Sequence, residues 1–230
     1  LQRRLGAPVY APDLEAAMME HPIIEPLYLF GGAAPIEALR QKFTLAEPCR
    51  VKQTMGPGPL EVGPFELSIV PLPGHALNQV GVGVEADGQR VFFCADAVFP
   101  QETIEKHKVL FCVDLEETVE TIEGLADEPY DWFAPGHGPA YAAGGEIEAV
   151  CEANGARLEE IRDVVHDAIL TPQETSALIQ HTAEHFGLRI TRATAYYLTR
   201  TTVLAALSAL ERGGSVRAAM EANKLVWERV

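Results

Sequence analysis

Twice in this chain an apolar, strand-like run stops at Pro-Gly-His. Phe65–Leu72 leads into Pro73-Gly74-His75, and Tyr130–Ala134 leads into Pro135-Gly136-His137. Between them a third run, Val91–Ala95, ends at Asp96. One Pro-Gly-His merely writes a turn. Two of them, about sixty residues apart with a strand-terminal carboxylate between, are far more restrictive. If the three strands share one sheet edge, two imidazoles and a carboxylate converge there, a donor set suited to hard or borderline divalent metals. Gly136 and Gly138 flank His137 and let the backbone pass close to whatever that ring holds.

The surrounding pattern is α/β. Leu5–Ala11 reads as a short strand and Asp13–Glu20 as a helix. Residues 22–48 are less regular, with Tyr28, Phe30 and Phe43 around Gly31-Gly32 and a helix-like Ile36–Lys42. That stretch reads as a helical insert packed on the core, with a lid or a contact in a homo-oligomer as alternatives. From 49 to 96 the period is two: Arg50–Met55 and Leu60–Val62 are short runs, Phe65–Leu72 and Gln79–Val84 longer ones. Asp87-Gly88 supplies a hairpin turn before Arg90–Ala95. Asp114 is an N-cap candidate for a helix to about Leu125, and Tyr130–Ala134 follows as a buried strand. Strands alternating with helices build a layered α/β domain, here residues 1–145.

After Pro139 the period changes. Glu146–Leu170 reads as one long helix. Thr171-Pro172-Gln173-Glu174 combines an N-cap Thr, Pro at the first helical position and a capping-box Glu, predicting a helix to about Phe186. Thr191–Leu210 is a third helix stopped by Gly213-Gly214, and Ser215–Ala219 with Lys224–Arg229 pair as a hairpin. Helices closed by a hairpin suggest a small winged-helix-like domain over residues 146–230.

Charge narrows the partners. The net charge is −15: residues 1–150 hold 9 basic and 23 acidic side chains, net −14, and residues 151–230 hold 9 and 10, net −1. Neither part offers the basic field that a nucleic-acid surface usually needs, which leans against nucleic acid as a partner. Cys49, Cys94, Cys112 and Cys151 form no C-x-x-C pair, which fits a reducing cytoplasm. Cys94 lies two residues before Asp96, on the same strand face by period, and reads as a small buried hydrophobe. The apolar run Val203–Leu210 is too short to span a bilayer, and Leu1-Gln-Arg-Arg opens no secretory pattern. A cytoplasmic protein without a membrane segment is the expectation. The chain does not open on Met, which leaves its true start upstream as an open expectation.

On the paired Pro-Gly-His segments and Asp96 the chain resembles the metallo-β-lactamase superfamily of metal-dependent hydrolases, over roughly residues 5–140. The resemblance implies an αββα sandwich with a dinuclear metal site at one edge of the paired sheets. His75 then matches the third histidine of the first metal, Asp96 the carboxylate bridging both metals, and His137 the last histidine of the second. In the intact family two divalent ions, zinc first with iron or manganese as alternatives, generate a hydroxide that attacks an ester, thioester or similar bond. Asp96 is thereby the candidate catalytic residue. The segment after 146 resembles the winged-helix tail of members related to hydroxyacylglutathione hydrolases. The family's H-x-H-x-D-H motif, with four further ligands, is absent from these 230 residues. The expectation is therefore a sandwich lacking its N-terminal strands, an incomplete metal site, and a truncated, inactive or weakly active chain. Smaller departures are Ala76-Leu77-Asn78-Gln79 after His75 and Ala95 where Gly often precedes the bridging Asp. Ala97-Val-Phe-Pro-Gln-Glu102 replaces the Gly-Arg-Thr-Asp type segment of glyoxalase-II-like members, which argues against their substrates.

Two other readings compete. His181-Thr-Ala-Glu184-His185 spells the H-x-x-E-H pattern of a metallopeptidase helix, against a solvated or packed helix face. The second is a degenerate, non-catalytic hydrolase whose winged helix binds nucleic acid or protein through Arg189, Arg192 and Arg200. Against it, Tyr197, Leu198, Val203, Leu204, Leu207 and Leu210 make the third helix apolar over much of its surface, as packing on a neighbour requires. His21, His107 and His166 carry no partner pattern and read as surface or structural residues.

Overall fold

Residues 2–230 are described by a computed structural model. The chain opens with α1 (Gln2–Leu5), β1 (Tyr10–Ala11), α2 (Asp13–Glu20), α3 (Ile24–Leu29), a 3-10 turn at Glu37–Leu39 and β2 (Gln53–Thr54). β1 and β2 pair in parallel as a separate two-stranded sheet. The stretch 22–48 is an insert packed on the body. Leu29 and Leu39 are fully buried, Phe30 meets Tyr197 edge-on at 5.5 Å, and the Gln41 amide donates to Thr194 Oγ1 at 2.8 Å.

The alternating region folds as β3 (Gly58–Val62), β4 (Phe65–Pro71), β5 (Val80–Ala86) and β6 (Gln89–Ala95), an antiparallel meander. Asp87 and Gly88 both have positive φ, 54° and 73°, the two-residue hairpin that their sequence predicts. Next come α4 (Gln101–His107), α5 (Leu115–Leu125), β7 (Trp132–Pro135) and β8 (Tyr141–Ala142). β7 lies parallel to β6, so the chain must cross over between them, and α4 and α5 belong to that crossover. The six strands run in the order β3-β4-β5-β6-β7-β8.

The core lies on one face of this sheet. Phe92, Cys94 and Phe133 are fully buried there, and Tyr130 stacks on Phe92 at 4.7 Å. Gly81 and Gly83 make room for those rings, since a Cβ would overlap the Phe92 ring at one and the Tyr130 hydroxyl at the other. The opposite face carries half-buried Leu67, Val82, Val84 and Val91 and exposed Phe65, Phe93 and Trp132.

The remainder is α6 (Glu146–Asp167), β9 (Gln173–Glu174), α7 (Thr175–His185), α8 (Ala193–Arg212), β10 (Val216–Glu221) and β11 (Lys224–Arg229). α8 ends in a 6→1, 5→2 motif: Ser215 N–H donates to Leu210 C=O and Gly214 N–H to Glu211 C=O, with Gly214 at φ 72°. Two expectations fail: the strand read over Leu5–Ala11 is only Tyr10–Ala11, with Leu5 closing α1, and the start of α7 is displaced. The N-cap and capping-box signal at Thr171–Glu174 does not start α7. Gln173 and Glu174 pair instead with Trp227 and Val226 as a third strand beside the terminal hairpin. Glu174 is drawn to Lys224 Nζ at 2.6 Å, and Trp227 Nε1–H donates to Thr175 Oγ1, so the helix starts three residues later, at Thr175. Long-range strand pairing wins over the local cap.

One buried cluster runs from Leu72 and Phe92 through Ile122, Leu158 and Leu207 to Trp227. Buried Asn154 on α6 donates to Phe99 C=O and accepts from Phe99 N–H, fixing the segment that follows Asp96. The Thr202 hydroxyl of α8 donates to Leu110 C=O at 3.0 Å. No helix among the described residues is long and apolar enough to cross a membrane.

Asp114 caps α5 as its position predicts, accepting from Glu116 N–H and Glu117 N–H, and it also takes the Arg212 guanidinium of α8 at 2.8 Å. Asp114→Ala is expected to lower stability by about 1–2 kcal/mol in urea unfolding. Asp114→Asn keeps the cap acceptor and is expected to recover more than half of that loss.

Candidate active site

His75 is placed by its own turn. Gly74 has φ 113°, and a Cβ there would overlap the backbone of Thr118 in the first turn of α5. Gly74 C=O accepts from Val113 N–H at 2.8 Å and Asp114 N–H at 3.1 Å, while Thr121 Oγ1–H donates to Pro73 C=O at 2.8 Å. The Pro-Gly-His turn is thus clamped onto the start of α5. The imidazole is mostly buried, edge-on to Phe99 and Phe111 at 5.7 and 5.4 Å. Its Nδ1 lies 3.0 Å from Phe111 C=O. A carbonyl only accepts, so Nδ1 carries the hydrogen and the neutral ring leaves Nε2 bare. This is how a metal-ligating imidazole is held and oriented by its outer hydrogen bond.

Asp96 follows an irregularity. The β6–β7 register shifts between Phe93 and Ala95, and Ala95 has φ 47°, a left-handed conformation uncommon for a residue with a Cβ. The period-two argument that puts Cys94 and Asp96 on one face therefore ends before Asp96. Cys94 is fully buried, and burial pushes its thiol up to about 12, so it is a core residue. Asp96 is a third exposed and stands between the two histidines, with Oδ2 3.7 Å from His75 Nε2 and Oδ1 3.9 Å from His137 Nε2.

His137 is brought there by the β6–β7 pairing. Ala95 is level with Pro135, and Gly136 N–H donates to Ala95 C=O at 2.6 Å. A Cβ on Gly136 would overlap Asp96 Oδ1, so glycine is required for this approach. The His137 ring is largely exposed and lies roughly parallel to Phe99 at 6.3 Å. His75, Asp96 and His137 thus meet at one sheet edge, as their positions at strand ends predict.

Both nitrogen–oxygen separations are too long for a direct hydrogen bond. A bare Nε2 facing a carboxylate oxygen sets two acceptors opposite each other, which favours a proton or a cation between them. Zinc–nitrogen and zinc–oxygen bonds of about 2.0–2.1 Å set tetrahedral donors about 3.3–3.4 Å apart. Both pairs are wider than that, and each gives only two donors where a zinc shell takes four. Among the described residues no three His, Cys, Asp or Glu side chains form a group that could hold a metal ion. The residues present do not complete a metal centre.

A cavity of about 430 Å³ opens beside this edge, bounded by Phe99 and Phe111 near the histidines, by Leu188 from the loop between α7 and α8, and by Ala195 and Leu198 from α8. Lys106 and His107 at the end of α4 also line it. Burial, with the charges of Lys106 and His137, holds the His107 pKa below its usual value. These lining residues follow no motif, and His107 reads as a surface residue in sequence. The H-x-x-E-H residues have a different setting. His181, Glu184 and His185 are exposed on α7, with Glu184 accepting from Gln180 at 2.8 Å and His185 3.7 Å from Glu160.

Residues 1–137 match the profile of the metallo-beta-lactamase superfamily. The chain belongs to this superfamily. No curated protein matches it significantly by sequence. Among solved structures, a metallo-beta-lactamase family protein from Thermus thermophilus superposes with a TM-score of 0.70 at 19% identity, covering 99% of this chain and 73% of its own. A beta-lactamase domain protein from Burkholderia ambifaria gives 0.66 at 14% identity, covering 97% of this chain and 65% of its own. At those identities the likeness concerns the fold, the mixed α/β architecture of the superfamily. The chain thus spans about two thirds to three quarters of the length of these two neighbours.

Two outcomes are expected of this superfamily member's edge. Gly136→Ala forces Asp96 or the β7 end to move and should cost about 1–3 kcal/mol by thermal or urea unfolding. Burial lowers the His75 pKa below 6.5, outweighing the raising effects of Asp96 and the Phe111 carbonyl. The unfolded chain therefore binds the proton first as the pH falls. The stability held by neutral His75 is whole above about pH 6.5 and is lost as the pH drops through the folded pKa. His75→Gln should flatten the stability profile below pH 6.5 in urea titrations.

Proposed function

We propose that this chain carries one side of the active centre of a metal-dependent hydrolase acting on an ester, thioester or similar bond of a small molecule. The observation that supports this most directly is the Asp96 carboxylate set between two imidazoles, one oxygen toward each. The bare Nε2 of His75 and both oxygens of Asp96 are nitrogen and oxygen donors, which favours zinc, with iron or manganese as alternatives. Asp96 is the catalytic candidate. Partly exposed at the cavity edge, its carboxylate is placed to hold a water and accept a proton from it. His75 and His137 flank that position, one beside each carboxylate oxygen.

With two donors at each position, the 230-residue chain by itself is proposed to be inactive or weakly active. Zinc uptake after chelation, measured by elemental analysis and calorimetry, is expected to show at most one weakly held ion per chain. Asp96→Asn or His75→Ala is expected to reduce that affinity by at least about tenfold. Two tightly held ions per chain together with ester or thioester turnover would refute the partial-site reading. No zinc uptake at all would instead favour the degenerate, non-catalytic alternative.

A further inference from the structure

The cavity beside the candidate centre has an apolar wall and one lysine on its rim. Val109 and Leu110 are buried behind it, and Leu188 from the α7–α8 loop and Ala195 and Leu198 from α8 line it. That wall is firmly anchored. Thr202 on α8 donates to Leu110 C=O at 3.0 Å, Thr194 Oγ1 donates to Ala38 C=O at 3.1 Å, and Tyr197 packs on Phe30. A wall held in this way is preformed, so an apolar group entering it loses little to rearrangement.

The rim carries little negative charge. In a chain of net charge −15, Lys106 and His107 from α4 and His137 from the loop after β7 all line this one cavity. Asp96 is the one carboxylate among its described lining residues, and it stands at the end that carries the histidines. Lys106 takes part in no hydrogen bond or ion pair among the described residues, whereas neighbouring Lys108 is tied to Gly187 C=O at 3.1 Å. Its ammonium is free to meet a ligand.

We propose that the cavity accepts an amphiphilic ester or thioester whose apolar acyl part lies along the Leu188–Leu198 wall and whose anionic group is held by Lys106. This rests on the hydrolase reading for the bond broken, but the binding surface is a separate claim. A single free lysine suits one anionic group rather than the repeated phosphates of a nucleic acid. About 430 Å³ lies within the usual range for small-molecule sites and is ample for a medium-length acyl chain.

The test is calorimetric binding to the full chain in the presence of a chelator, with octanoate, octan-1-ol, octyltrimethylammonium and acetate as probes. Octanoate is expected to bind most tightly, about threefold to tenfold better than octan-1-ol, with octyltrimethylammonium and acetate much weaker. Lys106→Gln is expected to bring octanoate down to the level of octan-1-ol and leave octan-1-ol unchanged. Lys108→Gln is expected to change neither. Leu198→Asn is expected to weaken octanoate and octan-1-ol together, with circular dichroism confirming its fold. Equal binding of octanoate and octan-1-ol, or an octanoate affinity that falls in His137→Ala but not in Lys106→Gln, would overturn the role of Lys106. Acetate binding as well as octanoate, or no binding of any probe, would overturn the acyl wall. Because the chelator removes metal, these results are independent of zinc uptake: loss of zinc binding with octanoate binding intact refutes only the hydrolase reading.

Discussion

Parallel pairing of β6 with β7, with Ala95 level with Pro135, is the constraint on which the site depends. It sets Gly136 against Asp96 and so brings His137 to the carboxylate. Parallel neighbours cannot be joined by a tight turn, so the pairing demands a crossover. That crossover includes α5, whose first turn clamps Gly74 and thereby fixes His75. One pairing therefore places all three side chains, two of them directly and one through the helix that it requires. The left-handed Ala95 is the local consequence, a strained residue at the point where the strand must release Asp96 to the edge.

The C-terminal helices are part of this arrangement rather than an attachment to it. Their buried residues continue the cluster that begins under the sheet, and α8 supplies one wall of the cavity next to the histidines. Arg212 at the end of α8 joins Asp114 at the start of α5, so the helix that holds His75 and the helix that walls the cavity are tied together. An exposed ion pair is worth little in general. Here it is added to a helix cap that already anchors α5.

Much of this was legible in the residues. The hairpin at Asp87-Gly88, the cap at Asp114 and the stop at Gly213-Gly214 are local devices, and each forms as its chemistry dictates. The Thr171 cap failed because Gln173 and Glu174 found strand partners over fifty residues away, a term that no local rule contains. Lys106 and Leu198 were invisible as site residues for the same reason: each is ordinary on its own helix and gains meaning only across the cavity.

By itself, then, the sequence determined most kinds of element and the three candidate site residues, because turn chemistry and strand ends depend on neighbours in the chain. It also determined the donor types, nitrogen and oxygen, and therefore the class of metal that suits them. Tertiary structure alone decided that Asp96 presents one oxygen to each imidazole, that Phe111 C=O selects the His75 tautomer, and that α8 walls the cavity. These depend on contacts between residues distant in sequence, whose distances are set by how the sheet and helices pack and not by any spacing along the chain.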